Sequence, residues 1–135
     1  MSIKSIIISY LLTFIVFLMV DMLWLGIIAK DLYRKYLGDF LASKVNWTAA
    51  VIFYFIFVIG ISIFAIYPAV NKDSLLNAII LGALFGFFTY ATYDLTNLAT
   101  LKGWPLPIVF IDIIWGAVLS AIVSSSGFYL VKWLN

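Results

Sequence analysis

The chain of 135 residues contains no cysteine, no histidine and no glutamate. Without cysteine there is no disulfide, no thiolate nucleophile and no thiolate metal site. Without histidine the chain lacks the commonest haem ligand, the ligands of most zinc sites and the usual base at neutral pH. The net charge of +2 gives no basic surface of the kind that binds nucleic acid. We therefore predict no metal site, no bound cofactor and no nucleic-acid partner.

Charged residues are also scarce, at 10% of the chain, whereas a soluble domain carries roughly 25%. Hydrophobic residues make up 66%, and the mean hydropathy is +1.18. Four apolar segments approach the ~20 residues that cross ~30 Å of hydrocarbon. They cover about residues 5–29, 47–67, 75–98 and 107–130. We predict an all-α integral membrane four-helix bundle in contact with the lipid bilayer, formed by one domain over residues 1–135.

The loop between the first two spans has an amphipathic pattern. Apolar residues recur at helical spacing with charged residues between them, namely Leu32, Tyr33, Tyr36, Leu37, Phe40 and Leu41. This pattern predicts a helix over about residues 31–43 that lies at the membrane surface. A loop helix packed over the mouth of the bundle would show the same pattern. The first segment itself is expected to be a retained span, because no small-residue cleavage site follows it.

Lysine and arginine predict the orientation. The first and third loops together hold five, and the opposite side holds three: Lys30, Arg34, Lys35, Lys44 and Lys102 against Lys4, Lys72 and Lys132. Because cytoplasmic loops are enriched in these residues, we expect loops one and three in the cytoplasm and both termini outside.

Three aspartates, Asp21, Asp94 and Asp112, lie inside the predicted spans with no Lys or Arg among them. A charge in hydrocarbon is costly, so such residues usually face the interior of a bundle. At 1.5 Å per residue they lie roughly 7 to 14 Å from the side of loops one and three. We therefore expect them to be neighbours. Several carboxylates at such a site cannot all ionise cheaply, so at least one should hold a proton.

Helical stripes extend this site. Small and polar residues share one face of the third span and one face of the fourth: Gly82, Gly86, Tyr90, Asp94 and Asn97, and Asp112, Gly116, Ser120 and Ser124. The glycine pair predicts close helix contact. The second span carries no charge and should be the most exposed to lipid. Asp-x-x-Trp occurs twice, at Asp21–Trp24 and Asp112–Trp115, which either reflects an inverted repeat or arises by chance.

These residues define a candidate site for a ligand or a proton: Asp21, Trp24, Tyr90, Tyr93, Asp94, Asn97, Asp112 and Trp115. We predict a small transporter or ligand-binding protein, working as a homodimer, whose ligand is cationic or aromatic. The alternatives are an accessory subunit of a membrane complex, in which the aspartates bind a membrane-protein partner, and an enzyme acting on a lipid or isoprenoid. We favour a role other than catalysis, and no catalytic residue is assigned.

The segment Tyr90–Pro105 is the most distinctive stretch of the chain. Together with Asp21–Gly26 and Asp112–Gly116, it resembles the bacterial membrane-protein family called domain of unknown function 2177. The resemblance covers nearly the whole chain. It implies a four-span protein of the bacterial inner (cytoplasmic) membrane, and it implies no activity. It also suggests that the Tyr-Asp-Leu-Thr-Asn segment is the family's hallmark.

Overall fold

The computed structural model describes residues 1–135, and it contains five helices and no strand. We label them α1 (Ile3–Ile28), α2 (Lys30–Leu37), α3 (Trp47–Asn71), α4 (Leu75–Thr100) and α5 (Leu106–Trp133). All except α2 are long and apolar enough to cross a membrane. The predicted all-α membrane bundle is confirmed.

Polar residues fix where the long helices begin. Ser2, Asn46 and Ser74 each precede a helix, and the side chain of each accepts a hydrogen bond from the backbone N–H three residues later. Such caps satisfy donors that have no partner within the helix. α5 begins differently, with Pro107 in its first turn, where the missing N–H is harmless. Because successive spans run in opposite directions, loops one and three lie at the same end of the bundle.

α4 and α5 make the closest helix contact of the bundle, through the predicted glycines. A Cβ at Gly82 would lie 2.6 Å from the Ser120 carbonyl oxygen and 2.6 Å from Ser124 Cβ. A Cβ at Gly86 would overlap the Gly116 carbonyl oxygen. The predicted small-residue contact is therefore confirmed, and it holds the two helices that carry Asp94 and Asp112 against one another.

α3 continues past Pro68 to Asn71, whereas the sequence suggested an end at residue 67. A proline inside an α-helix lacks the N–H for the usual bond and clashes with the carbonyl four residues earlier. Here a π-helical turn, Ser62–Ile66, directly precedes Tyr67. Its wider hydrogen-bond register places Pro68 in the first turn of a new helical segment. The helix therefore extends through the proline without a break.

The expectation that the second span is the most exposed to lipid is wrong. In the apolar window of α3, 33% of the residues are buried, against 17% in α1 and in α4. Its buried residues join Phe17 of α1 and Leu119 of α5 in the main core. Because α3 is apolar on every face, its sequence pattern does not reveal which face is buried.

α2 is shorter than the predicted helix over residues 31–43. It ends at Leu37, whose φ of −113° and ψ of 8° lie outside the α-helical region, and it passes into a single 3-10 turn at Gly38–Phe40. Leu37 is buried in a small cluster with Trp104 and Ile108. The loop helix therefore packs over the end of the bundle, and its charged side points away from it.

Candidate functional site

The three aspartates of the long apolar helices are all buried. Asp94 on α4 and Asp112 on α5 are neighbours in the interior of the bundle. Asp21 on α1 is linked to α5 by a hydrogen bond, which Trp115 Nε1 donates to Asp21 Oδ1 at 3.3 Å. The three carboxyl groups do not converge on a single point where a metal ion could be held. The site is a carboxyl pair with a third carboxylate beside it.

The two Asp-x-x-Trp segments interlock. The Trp24 and Trp115 rings are stacked, with centroids 4.4 Å apart and planes 10° from parallel. Trp115 donates to Asp21, and Trp24 Nε1 donates to the Tyr33 hydroxyl at 3.2 Å. The Tyr33 hydroxyl donates in turn to Asp112. Each indole therefore reaches the aspartate of the other segment, either directly or through Tyr33.

Tyr33 is a site residue that the sequence reasoning missed. It lies on α2, outside the membrane spans, and the amphipathic pattern identified it only as part of an apolar face. Burial raises the pKa of Tyr33 above its usual range, and the hydrogen bond to the Asp112 carboxylate raises it further. Tyr33 therefore stays protonated at neutral pH and keeps its hydrogen bond to Asp112.

A cavity of about 470 Å³ lies beside these residues, towards the end of the bundle that α2 covers. Ten of its 13 lining residues are hydrophobic. Five predicted site residues line it: Asp21, Tyr90, Tyr93, Asp112 and Trp115. Its other residues, which the sequence did not indicate, come mainly from α2 and α3: Leu25, Tyr33, Leu37, Ala50, Phe53, Tyr54, Phe57 and Thr89. The aromatic wall contributed by α3 carries no polar signal in the sequence.

The other three predicted site residues do not line the cavity. Trp24 lies behind Trp115, stacked on its ring. Asp94 is completely buried and does not line the cavity, whereas its neighbour Asp112 does. Asn97 is half-buried, and it is absent from the cavity wall. A role for these residues in binding stays a prediction.

Asp94 has an unusual environment for a carboxyl group. Neither of its oxygens accepts a hydrogen bond, and the buried Trp104 Nε1 nearby has no acceptor. The indole of Trp104 approaches Asp94 but does not reach hydrogen-bond geometry. The Asp112 carboxyl is the neighbouring titratable group. Asp112 lies at the cavity wall, so the pair extends from the closed interior of the bundle to the cavity.

Comparisons with known proteins agree with the membrane fold. A family model described as "Predicted membrane protein (DUF2177)" matches residues 6–129, which confirms the resemblance seen in the sequence. No match was found among curated proteins or among solved structures. The family description carries membrane location and no activity. The chain therefore belongs to the DUF2177 family of predicted membrane proteins.

Proposed function

We propose that the protein binds a small cationic ligand with an apolar or aromatic body in the cavity beside Asp21 and Asp112. The observation that carries this proposal is the charge of the cavity wall. Two carboxyl groups lie among aromatic and aliphatic side chains, and no lysine or arginine lines the wall. The volume of about 470 Å³ falls within the range of small-molecule sites.

The wall favours a cation over an anion. A positive group between Asp21 and Asp112 would gain from both carboxylates in a site with little water. The ring faces of Tyr54, Tyr90 and Trp115 could add cation–π attraction of about 0.5–2 kcal/mol each. A phosphate group would instead meet two carboxylates with no basic side chain in the wall. For this reason we prefer a ligand-binding function to that of an enzyme acting on a phosphorylated lipid or isoprenoid.

The carboxyl pair offers a reaction that would couple binding to protons. Two adjacent carboxyl groups do not both ionise cheaply, so we expect Asp112 to share one proton with Asp94. A cation at Asp112 would compete with that proton, and binding would release it. If the cavity also opens to the other side of the membrane, this exchange would support transport. With loops one and three in the cytoplasm of a bacterial cell, the cavity would lie in the cytoplasmic leaflet of the inner membrane.

The test compares two ligands of the same shape. Benzyltrimethylammonium and neopentylbenzene differ in one atom, since nitrogen in the first is carbon in the second, and hence in charge. Thermal unfolding of the purified protein in mild detergent would be followed with each. At 100-fold excess over the dissociation constant, a specific ligand stabilises by about 2.7 kcal/mol. We expect the cation to stabilise the protein and the neutral compound to have no such effect.

Variants locate the effect. Asp21→Asn and Asp112→Asn should lose the stabilisation by the cation. Asp73→Asn makes the same change of charge at an exposed turn, where Asp73 pairs with Lys132 and has a φ of 48° that asparagine tolerates. This control should keep the full stabilisation. Equal stabilisation by both compounds, or equal loss in all three variants, would contradict the proposal.

A further inference from the structure

We infer that the ligand enters sideways from the bilayer, between α3 and α4, and that its class is a monocationic amphiphile whose tail stays in the lipid. This inference rests on the proposed function, and it adds the route and the chemical class of the ligand. Three features of the cavity support it: a gap between two helices, a covered end, and a separation of polar from apolar wall.

The gap follows from the way α3 packs. Its π turn, Ser62–Ile66, packs closely against α4, whereas the preceding part of the helix approaches α1 instead. Phe57 bridges to α4, with its ring 5.2 Å from that of Phe85 and 6.4 Å from that of Tyr90. Beyond it, Phe53 and Tyr93 line the cavity and are still 47% and 56% exposed. Residues that line the cavity and also face outward mark an opening on the side of the bundle.

The end of the cavity nearest to the loops is covered. Tyr33 and Leu37 of α2 form part of the cavity wall. Leu37 is packed on Trp104 and Ile108, and the Tyr33 hydroxyl is bonded to Asp112. α2 is therefore fixed over this end by an apolar cluster and a hydrogen bond. The side opening between α3 and α4 lies within the membrane-spanning part of both helices, so it faces hydrocarbon.

The wall changes character from one side to the other. Asp21, Asp112 and Trp115 belong to α1 and α5, on the far side from the gap, whereas Ala50 and Phe53 lie on α3 beside it. A molecule with one cationic group and one apolar chain matches this arrangement, because the charge meets the carboxylates while the chain extends through the gap. An amphiphile also loses little by entering this way, since its chain leaves lipid for a wall that is equally apolar.

The experiment measures binding to the protein in lipid nanodiscs, with empty nanodiscs subtracted. The probes are benzyltrimethylammonium and benzyldimethyldodecylammonium, which share a head and differ in the tail. When the aqueous and the lipid-dissolved probe are counted together, we expect the tailed probe to bind at least about tenfold more tightly than the tailless one. If both probes bind equally well at the same aqueous concentration, the inference of lateral entry is wrong, and the proposed function still stands. Binding of neither probe would overturn both.

The absence of cysteine allows the gap to be blocked at one position. Phe53→Cys carries a thiol at the gap, and Ile56→Cys carries one on the same helix, at a residue that is 63% exposed and does not line the cavity. Each would be modified with a bulky maleimide. We expect the adduct at position 53 to weaken binding of the tailed probe by about tenfold or more, and the adduct at position 56 to leave it unchanged. Unaltered binding with the adduct at position 53 would overturn the inferred route.

Discussion

Replacing Gly86 by alanine should destabilise the bundle and disturb the carboxyl pair. An added methyl group would overlap the Gly116 carbonyl oxygen and lie 2.5 Å from Ser120 Oγ. Ordinary contacts between carbon and oxygen need about 3.3 Å, so α4 and α5 would have to separate by more than about 1 Å. Since Asp94 and Asp112 lie on the same two helices, their carboxyl groups would move apart as well.

The expected cost can be derived from opposing effects. Overpacking in a well-packed interior costs about 1–3 kcal/mol. Alanine in place of glycine within a helix recovers roughly 0.5–1 kcal/mol. Because the Gly86 clash involves the backbone of the neighbouring helix, no side chain can rotate away to relieve it. We therefore expect Gly86→Ala to lower the free energy of unfolding by about 2 kcal/mol.

The assay is reversible unfolding in mixed micelles by a denaturing detergent, followed by circular dichroism. Gly26→Ala is the matched control, because a Cβ there would meet nothing within 4 Å. It should be neutral or stabilising by up to about 1 kcal/mol. If Gly86→Ala is as stable as the unmodified protein, α4 and α5 do not make the contact described. Gly86→Ala should also bind benzyltrimethylammonium more weakly than Gly26→Ala does.

Three further outcomes follow from the hydrogen bonds of the site. Tyr33→Phe removes the donor to Asp112 and should cost about 1–3 kcal/mol in thermal unfolding, whereas Tyr36→Phe, in the same apolar cluster, should cost little. Because the pKa of Tyr33 is raised, its contribution is complete at neutral pH and is lost above about pH 10, where the unfolded tyrosine ionises first. An alkaline stability series should therefore fall less steeply in Tyr33→Phe. Trp115→Phe removes the donor to Asp21 and should cost about 1–3 kcal/mol in the same measurement.

The sequence predicted most of the features that depend on polarity. Hydropathy identified the four spans. The depth of the aspartates predicted that Asp21, Asp94 and Asp112 would all be neighbours, and Asp94 and Asp112 lie beside one another whereas Asp21 is bonded to Trp115. The spacing of Gly82 and Gly86 predicted the close contact of α4 with α5. Each of these follows from a cost that acts on the residue itself, such as a charge in hydrocarbon or a small side chain between two helices.

The features that the sequence did not predict depend on how whole helices pack. No residue pattern in the sequence marks the π turn at Ser62–Ile66, so the continuation of α3 through Pro68 could not be predicted. Asn97 follows Asp94 by three residues and so shares its helix face, yet Asn97 does not line the cavity. Tyr33 reaches Asp112 from a separate helix, and no periodicity connects residues so far apart in the chain.

The cavity itself arises from a difference between two helix contacts. Between helices in lipid there is little hydrophobic drive, so the distance between them depends on the size of the side chains at their interface. α4 approaches α5 closely through glycine and serine, whereas α3 presents the rings of Phe53, Tyr54 and Phe57 around the cavity. Phe57 reaches Phe85 and Tyr90 on α4, and all three α3 rings line the cavity beside Asp21 and Asp112. The one span without a charge therefore borders the open space beside Asp21 and Asp112. Substitutions that shrink its rings should change the size of the ligand that fits, and they should leave the preference for a cation unchanged.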